Sequence, residues 1–446
     1  MMMIQYKMRL QIIIILLTPL FYLGIGGKYP WLLLGSHGIG IGMLFFAVSA
    51  LIVCLAIRYL ALENYFYPQI ATISKLNLVI ALIFALGYDF IQYKHFHQFA
   101  YQNPYLCYLA IISLIPFVVL IPNSKLEERS FFMWIGLFVI VHQLLSIYYF
   151  PLVIERSDML KAIELSLTNY FSGGDPYHKT LANVGIPPYL PLTLLSFAPA
   201  LWLKCDLRII TVIGNLILFS LIYAKYHKLT QLSKLSLILV LCNPYWLMRH
   251  DLYFYLFLIE LCLIFIYLPH LNTVIKCIIL ACLISTLQFG WILFPFILCA
   301  ISHSLRQLIY QALLSISIAL IIVLSFIHHG NFTSFIHAIF LHAEYTQSYN
   351  SDITFGLSPI FYFASNQKLL YFSQIIGYLV ILANILWHFS KREKSSPEFY
   401  LASASVAYFW FMLTNYFIET YLLIPLIFTI SLMETRQVNG QDKANI

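Results

Sequence analysis

The stretch LIYQALLSISIALIIVLSFI, residues 308–327, runs its whole length without a charged side chain. A helix rises about 1.5 Å per residue and the hydrocarbon core of a bilayer is about 30 Å thick, so such a run is as long as a membrane is deep. Similar runs recur near residues 10–26, 38–60, 76–92, 105–122, 131–151, 188–203, 208–224, 235–248, 252–268, 272–301 (one long span or two short ones), 371–390, 399–416 and 418–434. Closed β-barrels carry short alternating segments instead. The composition agrees: 61% apolar and 10% charged residues, with a mean hydropathy of +0.84, leave too little polar surface to coat a soluble globule. The expected fold is all-α, a polytopic transmembrane helical protein of about 12–14 spans with two long outer-face loops.

Lysine and arginine set the expected orientation, because short cytoplasmic loops are enriched in them. Lys7 and Arg9 place the N-terminus inside, and the run that follows them has no small-residue cleavage site before GGKYPW, so it reads as a retained span. Lys125 and Arg129 also fall inside, and the long loop 152–187 then emerges outside. From the other end, KREK at 391–394 with Arg436 and Lys443 places a second long loop, 329–370, on the same outer face. Simple alternation puts Lys225, Lys228 and Lys234 outside, against the rule. If the proline-rich segment 188–203 does not cross, those lysines move inside and Arg249, His250 and Asp251 move to the outer face, which is the preferred arrangement. Loop bias accounts for most of the net charge of +7, so no nucleic acid is expected as a partner. The eight cysteines lie almost all in apolar runs, where a thiol behaves as a small hydrophobe.

Within the first outer loop, Leu160, Ile163, Leu167 and Tyr170 recur at helical spacing after Ser157 and Asp158, which predicts an amphipathic helix over 158–171 lying in the interface plane. Gly173 and Gly174 end it, Asp175-Pro176-Tyr177 begins a turn, and the chain returns through Pro187, Pro188 and Pro191. Asp158 has two readings. It caps the helix, or it is a carboxylate that accepts a proton from an attacking hydroxyl.

The outer loop resembles the first external loop of the GT-C superfamily of integral-membrane glycosyltransferases. It is most similar to the polyprenyl-phosphate-dependent mannosyltransferases. The resemblance rests on Asp158, on the run Gly174, Asp175, Pro176, Tyr177, on the run Tyr189, Leu190, Pro191, Leu192, and on Asn243-Pro244 ahead of a polar break between two apolar runs, together covering roughly residues 150–265. It implies that residues 131–446 form a glycosyltransferase membrane domain and that residues 1–130, about four spans, are an N-terminal extension. Two features depart from the family: those leading spans, and a single Asp158 with Glu155 three residues earlier in place of paired aspartates. The implied activity is transfer of one sugar, mannose or another hexose or pentose, from a polyprenyl-phosphate donor to a glycan or glycolipid acceptor on the non-cytoplasmic face. The membrane expected is a bacterial plasma membrane. Asp158 is the implied base, and the leaving phosphate calls for cations or N–H donors, for which Arg249, His250, His178 and Lys179 stand on the outer face in the preferred arrangement.

Each of these residues also has a plainer role. Arg249, His250 and Asp251 can form a solvated turn at a span end, and Asp175 and His178 can serve only to shape theirs. In the second loop Glu344 and Tyr345, within HAEYTQSYNSD, suit a sugar's hydroxyls and C–H faces, but tyrosine also favours every membrane interface. His328, His329, His337 and His342 match no tight ligand spacing, so no metal is expected. No phosphate-binding glycine loop or dinucleotide motif is present, and no cofactor is expected. Two other functions remain open. An envelope glycan polymerase or ligase would place arginines in its later outer loops, and a flippase or transporter would carry ionisable residues near span centres.

Overall fold

The computed structural model describes residues 125–152, 159–178, 189–225, 271–286, 288–327, 332–340 and 367–390, with isolated positions 400, 403, 404 and 407. Ten helices and no strand occur among the described residues, as the apolar runs require. They are α1 (Lys125–Tyr149), α2 (Met159–Phe171), α3 (Pro191–Ser196), α4 (Ala198–Trp202), α5 (Arg208–Lys225), α6 (Thr273–Thr286), α7 (Gln288–Ile301), α8 (Leu305–Ile327), α9 (Phe332–Phe340) and α10 (Gln367–Ser390). The division expected at 130/131 falls inside α1. Expected spans at 10–26, 38–60, 76–92, 105–122, 235–248, 252–268 and 418–434, and most of 399–416, lie outside the described residues.

Two helix packings organise what is described. α1 lies against α5, where Gly136 brings its backbone close to the Phe219 ring: a Cβ there would meet the ring at 3.3 Å. α6 packs on α8 around Ala281, Ile284 and Ala319, and the two alanines are small enough to let the backbones approach. On α8 the buried stripe is Gln311, Ser315 and Ala319 at four-residue spacing, with the Ser302 hydroxyl donating to Gln311 Oε1 at 2.6 Å. Its large apolar side chains, Leu313, Leu320, Ile321 and Leu324, point outward and are more than half exposed. Small and polar inside with large and apolar outside inverts the soluble pattern. At 23 residues, about 35 Å, α8 is the one helix among the described residues long and apolar enough to cross a membrane.

The run 272–301 forms two helices. The break frees carbonyls at the end of α6, and side chains meet them: Trp291 Nε1 donates to the Ile284 carbonyl at 2.8 Å and Thr193 Oγ1 to that of Thr286 at 2.5 Å. Gly290 passes so close that a Cβ would lie 2.4 Å from the Leu283 carbonyl oxygen. Backbone cannot yield as a flexible side chain can, so Gly290→Ala is expected to cost about 1–3 kcal/mol, read as a lower thermal unfolding midpoint of the detergent-purified protein.

Among the described residues 189–203 there are two short helices. Pro191 opens α3 at a first-turn position, where its missing N–H costs nothing, and α4 ends at Trp202. Their 6 and 5 residues extend about 16 Å, half of a bilayer core. α2 packs over α3 and α4, and its Tyr170 stacks on Phe326 at the end of α8, with ring centroids 4.4 Å apart. Tyr177 meets Phe326 and, on α9, Phe335 edge to face. The described part of the segment following α1 and the helix following α8 therefore meet, through Tyr177 and Phe335.

Candidate functional site

α2 buries Leu160, Ala162, Ile163, Ser166 and Leu167 and leaves Tyr170 half-buried, the face its spacing predicts. It ends in a left-handed residue: Gly173 has φ +81°, its N–H reaches the Tyr170 carbonyl at 3.1 Å, and the Gly174 N–H reaches that of Asn169 at 2.8 Å. This paired closure satisfies the last carbonyls of the helix and turns the chain back. A Cβ at Gly173 would meet nothing within 4 Å, so Gly173→Ala carries only the backbone cost, about 1 kcal/mol, measurable as a small drop in unfolding midpoint.

The next turn is held by its own side chain. Asp175 Oδ1 accepts the Tyr177 N–H at 2.9 Å, and the Asp175 carbonyl accepts the His178 N–H at 3.2 Å and Asn169 Nδ2 at 3.4 Å. Pro176 sits between them with its φ preset. The turn drives Tyr177 inward to 1% exposure, where its hydroxyl donates to the Tyr189 carbonyl at 2.9 Å. Burial, and then the charge of Asp175, push the Tyr177 phenol well above its ordinary value of 10.0. Tyr189 and Leu190 are buried beside it, and Pro191 starts α3. The fold thus joins two runs twelve residues apart, Gly174–Tyr177 and Tyr189–Leu192, through one hydrogen bond. Asp175 remains half-exposed and His178 exposed on the outer side of the turn.

Asp158, Glu155, Lys179, Arg249, His250, Asp251, Glu344 and Tyr345 lie outside the described residues. α2 begins at Met159, the residue after Asp158.

One further buried group has no counterpart among the sequence-based expectations. Arg208, in the first turn of α5, is 1% exposed. Its Nε donates to Asp206 Oδ1 at 2.9 Å, and its Nη2 donates to Asp206 Oδ2 at 2.6 Å and to the Phe150 carbonyl at 2.8 Å. Phe150 is the first residue after α1, so the guanidinium ties the end of α1 to the start of α5. The only signal in the sequence is Asp206-Leu207-Arg208 ahead of an apolar run, a pattern common to ordinary span ends. Further along the α1–α5 seam Gln143, Ser146, Thr211 and Asn215 are buried too, with Asn215 Nδ2 donating to Gln143 Oε1 at 3.2 Å.

No protein-family model, curated protein or solved structure matches this chain. What its geometry offers chemically is a braced turn hydrogen-bonded to the residues ahead of a proline-opened short helix and, separately, a buried guanidinium at the start of α5.

Proposed function

We propose that this chain is a polytopic membrane glycosyltransferase that moves a single sugar from a polyprenyl-phosphate donor to a glycan or glycolipid acceptor on the non-cytoplasmic face. The observation that carries the reading is the contact between the two runs on which the family resemblance rests: Tyr177 closes the Gly174–Tyr177 turn and hydrogen-bonds directly to Tyr189 at the head of the Tyr-Leu-Pro-Leu run. A lipid-linked donor is approached from the bilayer, and its phosphate rests at headgroup depth near span ends. α2, amphipathic, packed on the short helices α3 and α4 and stacked through Tyr170 on the end of α8, suits such a level. Asp158, immediately ahead of α2, is the base in this reading. The outward apolar faces of α8 and α10 suit contact with lipid chains.

The test is a mass-spectrometric profile of lipid-linked oligosaccharides and surface glycans, comparing cells with and without the protein. Loss of one hexose or pentose that the unmodified protein restores and Asp158→Asn does not is the expected result. A second reading, a lipid-linked glycan flippase, draws on the broken helix α6–α7 lying against the short helices α3–α4, since interrupted helices surround the substrate in many transporters. An unchanged sugar inventory with intact lipid-linked units accumulating favours that reading and overturns the first.

A further inference from the structure

We propose that Arg208 and Thr211 form a binding site for one phosphate-type oxyanion at the loop end of the α1–α5 seam. A guanidinium carries five N–H donors in a planar fork. Asp206 takes one from Nε and one from Nη2, and the Phe150 carbonyl takes the second from Nη2. Both N–H groups of Nη1 remain unspent, buried and without a partner among the described residues. Because Asp206 grips the Nε/Nη2 edge, Nη1 lies at the other edge of the planar fork, away from that carboxylate.

Thr211 lies three residues on, on the same face of α5, is 3% exposed, and its Oγ1 likewise has no partner. A charged donor pair and a hydroxyl donor, neighbours on one helix face, are the donor set an oxyanion takes. Neither group is explained by stability alone. A buried donor without a partner costs free energy, more when charged, and a cation in the first turn of a helix opposes the helix dipole, which favours an anion at that end. Asp206 offsets the charge and orients the fork, but it leaves Nη1 unsolvated. The lost hydration of those two N–H groups is what favours an incoming phosphate oxygen. The site stands at the end of apolar helices, where a phosphate can come from a lipid headgroup or from solution. In the transferase reading it holds the donor's phosphate; its role rests on that reading, and the binding does not.

The experiment uses the full chain purified in a neutral detergent and measures binding by thermal unfolding and by titration with dodecyl phosphate, dodecanol and inorganic phosphate. Dodecyl phosphate is expected to raise the unfolding midpoint and dodecanol to leave it unchanged. Thr211→Val, nearly isosteric, should weaken dodecyl phosphate binding about tenfold, and Arg208→Lys, which keeps the charge but loses Nη1, should abolish it. A matching shift with inorganic phosphate assigns a free anion, and no shift with it assigns a lipid-borne one; both uphold the site. Equal shifts with dodecyl phosphate and dodecanol overturn it, as does unchanged affinity in Thr211→Val, which decides the matter even if Arg208→Lys does not fold. Sugar transfer is measured separately: intact phosphate binding without transfer overturns the transferase reading alone, and transfer without phosphate-dependent binding overturns this site alone.

Discussion

Asp158→Asn is expected to reduce sugar transfer by about 10²–10⁴-fold while expression and membrane insertion stay unchanged. An attacking hydroxyl is a poor nucleophile until a base takes its proton, and an amide cannot do so. Asparagine is nevertheless as good a helix cap as aspartate. The substitution therefore separates the two readings of Asp158, since a cap survives it and a base does not. Asp175→Asn is the internal comparison. The Oδ1 that accepts the Tyr177 N–H at 2.9 Å has an equivalent in asparagine, so the turn is retained and transfer should fall by about tenfold or less. Transfer by Asp158→Asn at the unmodified rate would remove it as the base, and a larger loss in Asp175→Asn would move that role to Asp175. The measurement is single-turnover transfer from a lipid-phosphate sugar in membranes matched for protein level.

The second large effect is expected at Tyr177. Its ring is buried against Phe326 and Phe335, so Tyr177→Ala leaves a cavity between the turn, the end of α8 and α9 and should cost about 3–5 kcal/mol. Tyr177→Phe keeps the ring contacts and loses only the hydrogen bond to Tyr189, for about 1 kcal/mol. The two variants distinguish ring packing from the hydrogen bond, and denaturation in detergent reads both. A pH dependence follows from the same burial. The folded-state pKa of Tyr177 is raised, so the contribution of the neutral phenol is complete below the unfolded-state value near 10 and is lost as pH rises from there toward the folded value. Above pH 10 the unmodified protein should lose stability faster than Tyr177→Phe. Parallel curves for the two would show that the phenol ionises as easily folded as unfolded.

Much of the site's local structure was legible because it is governed by near neighbours. The three- and four-residue spacing of Leu160, Ile163 and Leu167 predicted α2 and its buried face. Gly173 marked the helix stop because only glycine adopts a left-handed residue without cost, and Asp175-Pro176 marked the turn that follows. Pro188 and Pro191 similarly signalled that 188–203 was a poor crossing helix, and α3 and α4 are short. Less was visible where one pattern serves two structures. The run 272–301 is apolar throughout, so no periodicity distinguishes one long helix from two; the break is set by Gly290 against Leu283 and by Thr193, nearly a hundred residues earlier, donating to the carbonyl of Thr286.

Apolar run length determined by itself that the described chain is helical. It is a property of short windows, read against the geometry of a helix and the thickness of a bilayer. Only the tertiary structure decided that Tyr177 is a buried anchor, with its hydroxyl on Tyr189. It also decided that Arg208 is a buried clamp, spending three N–H groups on Asp206 and Phe150. A tyrosine in an outer loop and an arginine at a span end look the same whether they face water or the core. Burial and partner choice depend on residues tens of positions away, and the reach from Arg208 to the Phe150 carbonyl spans 58 residues of sequence.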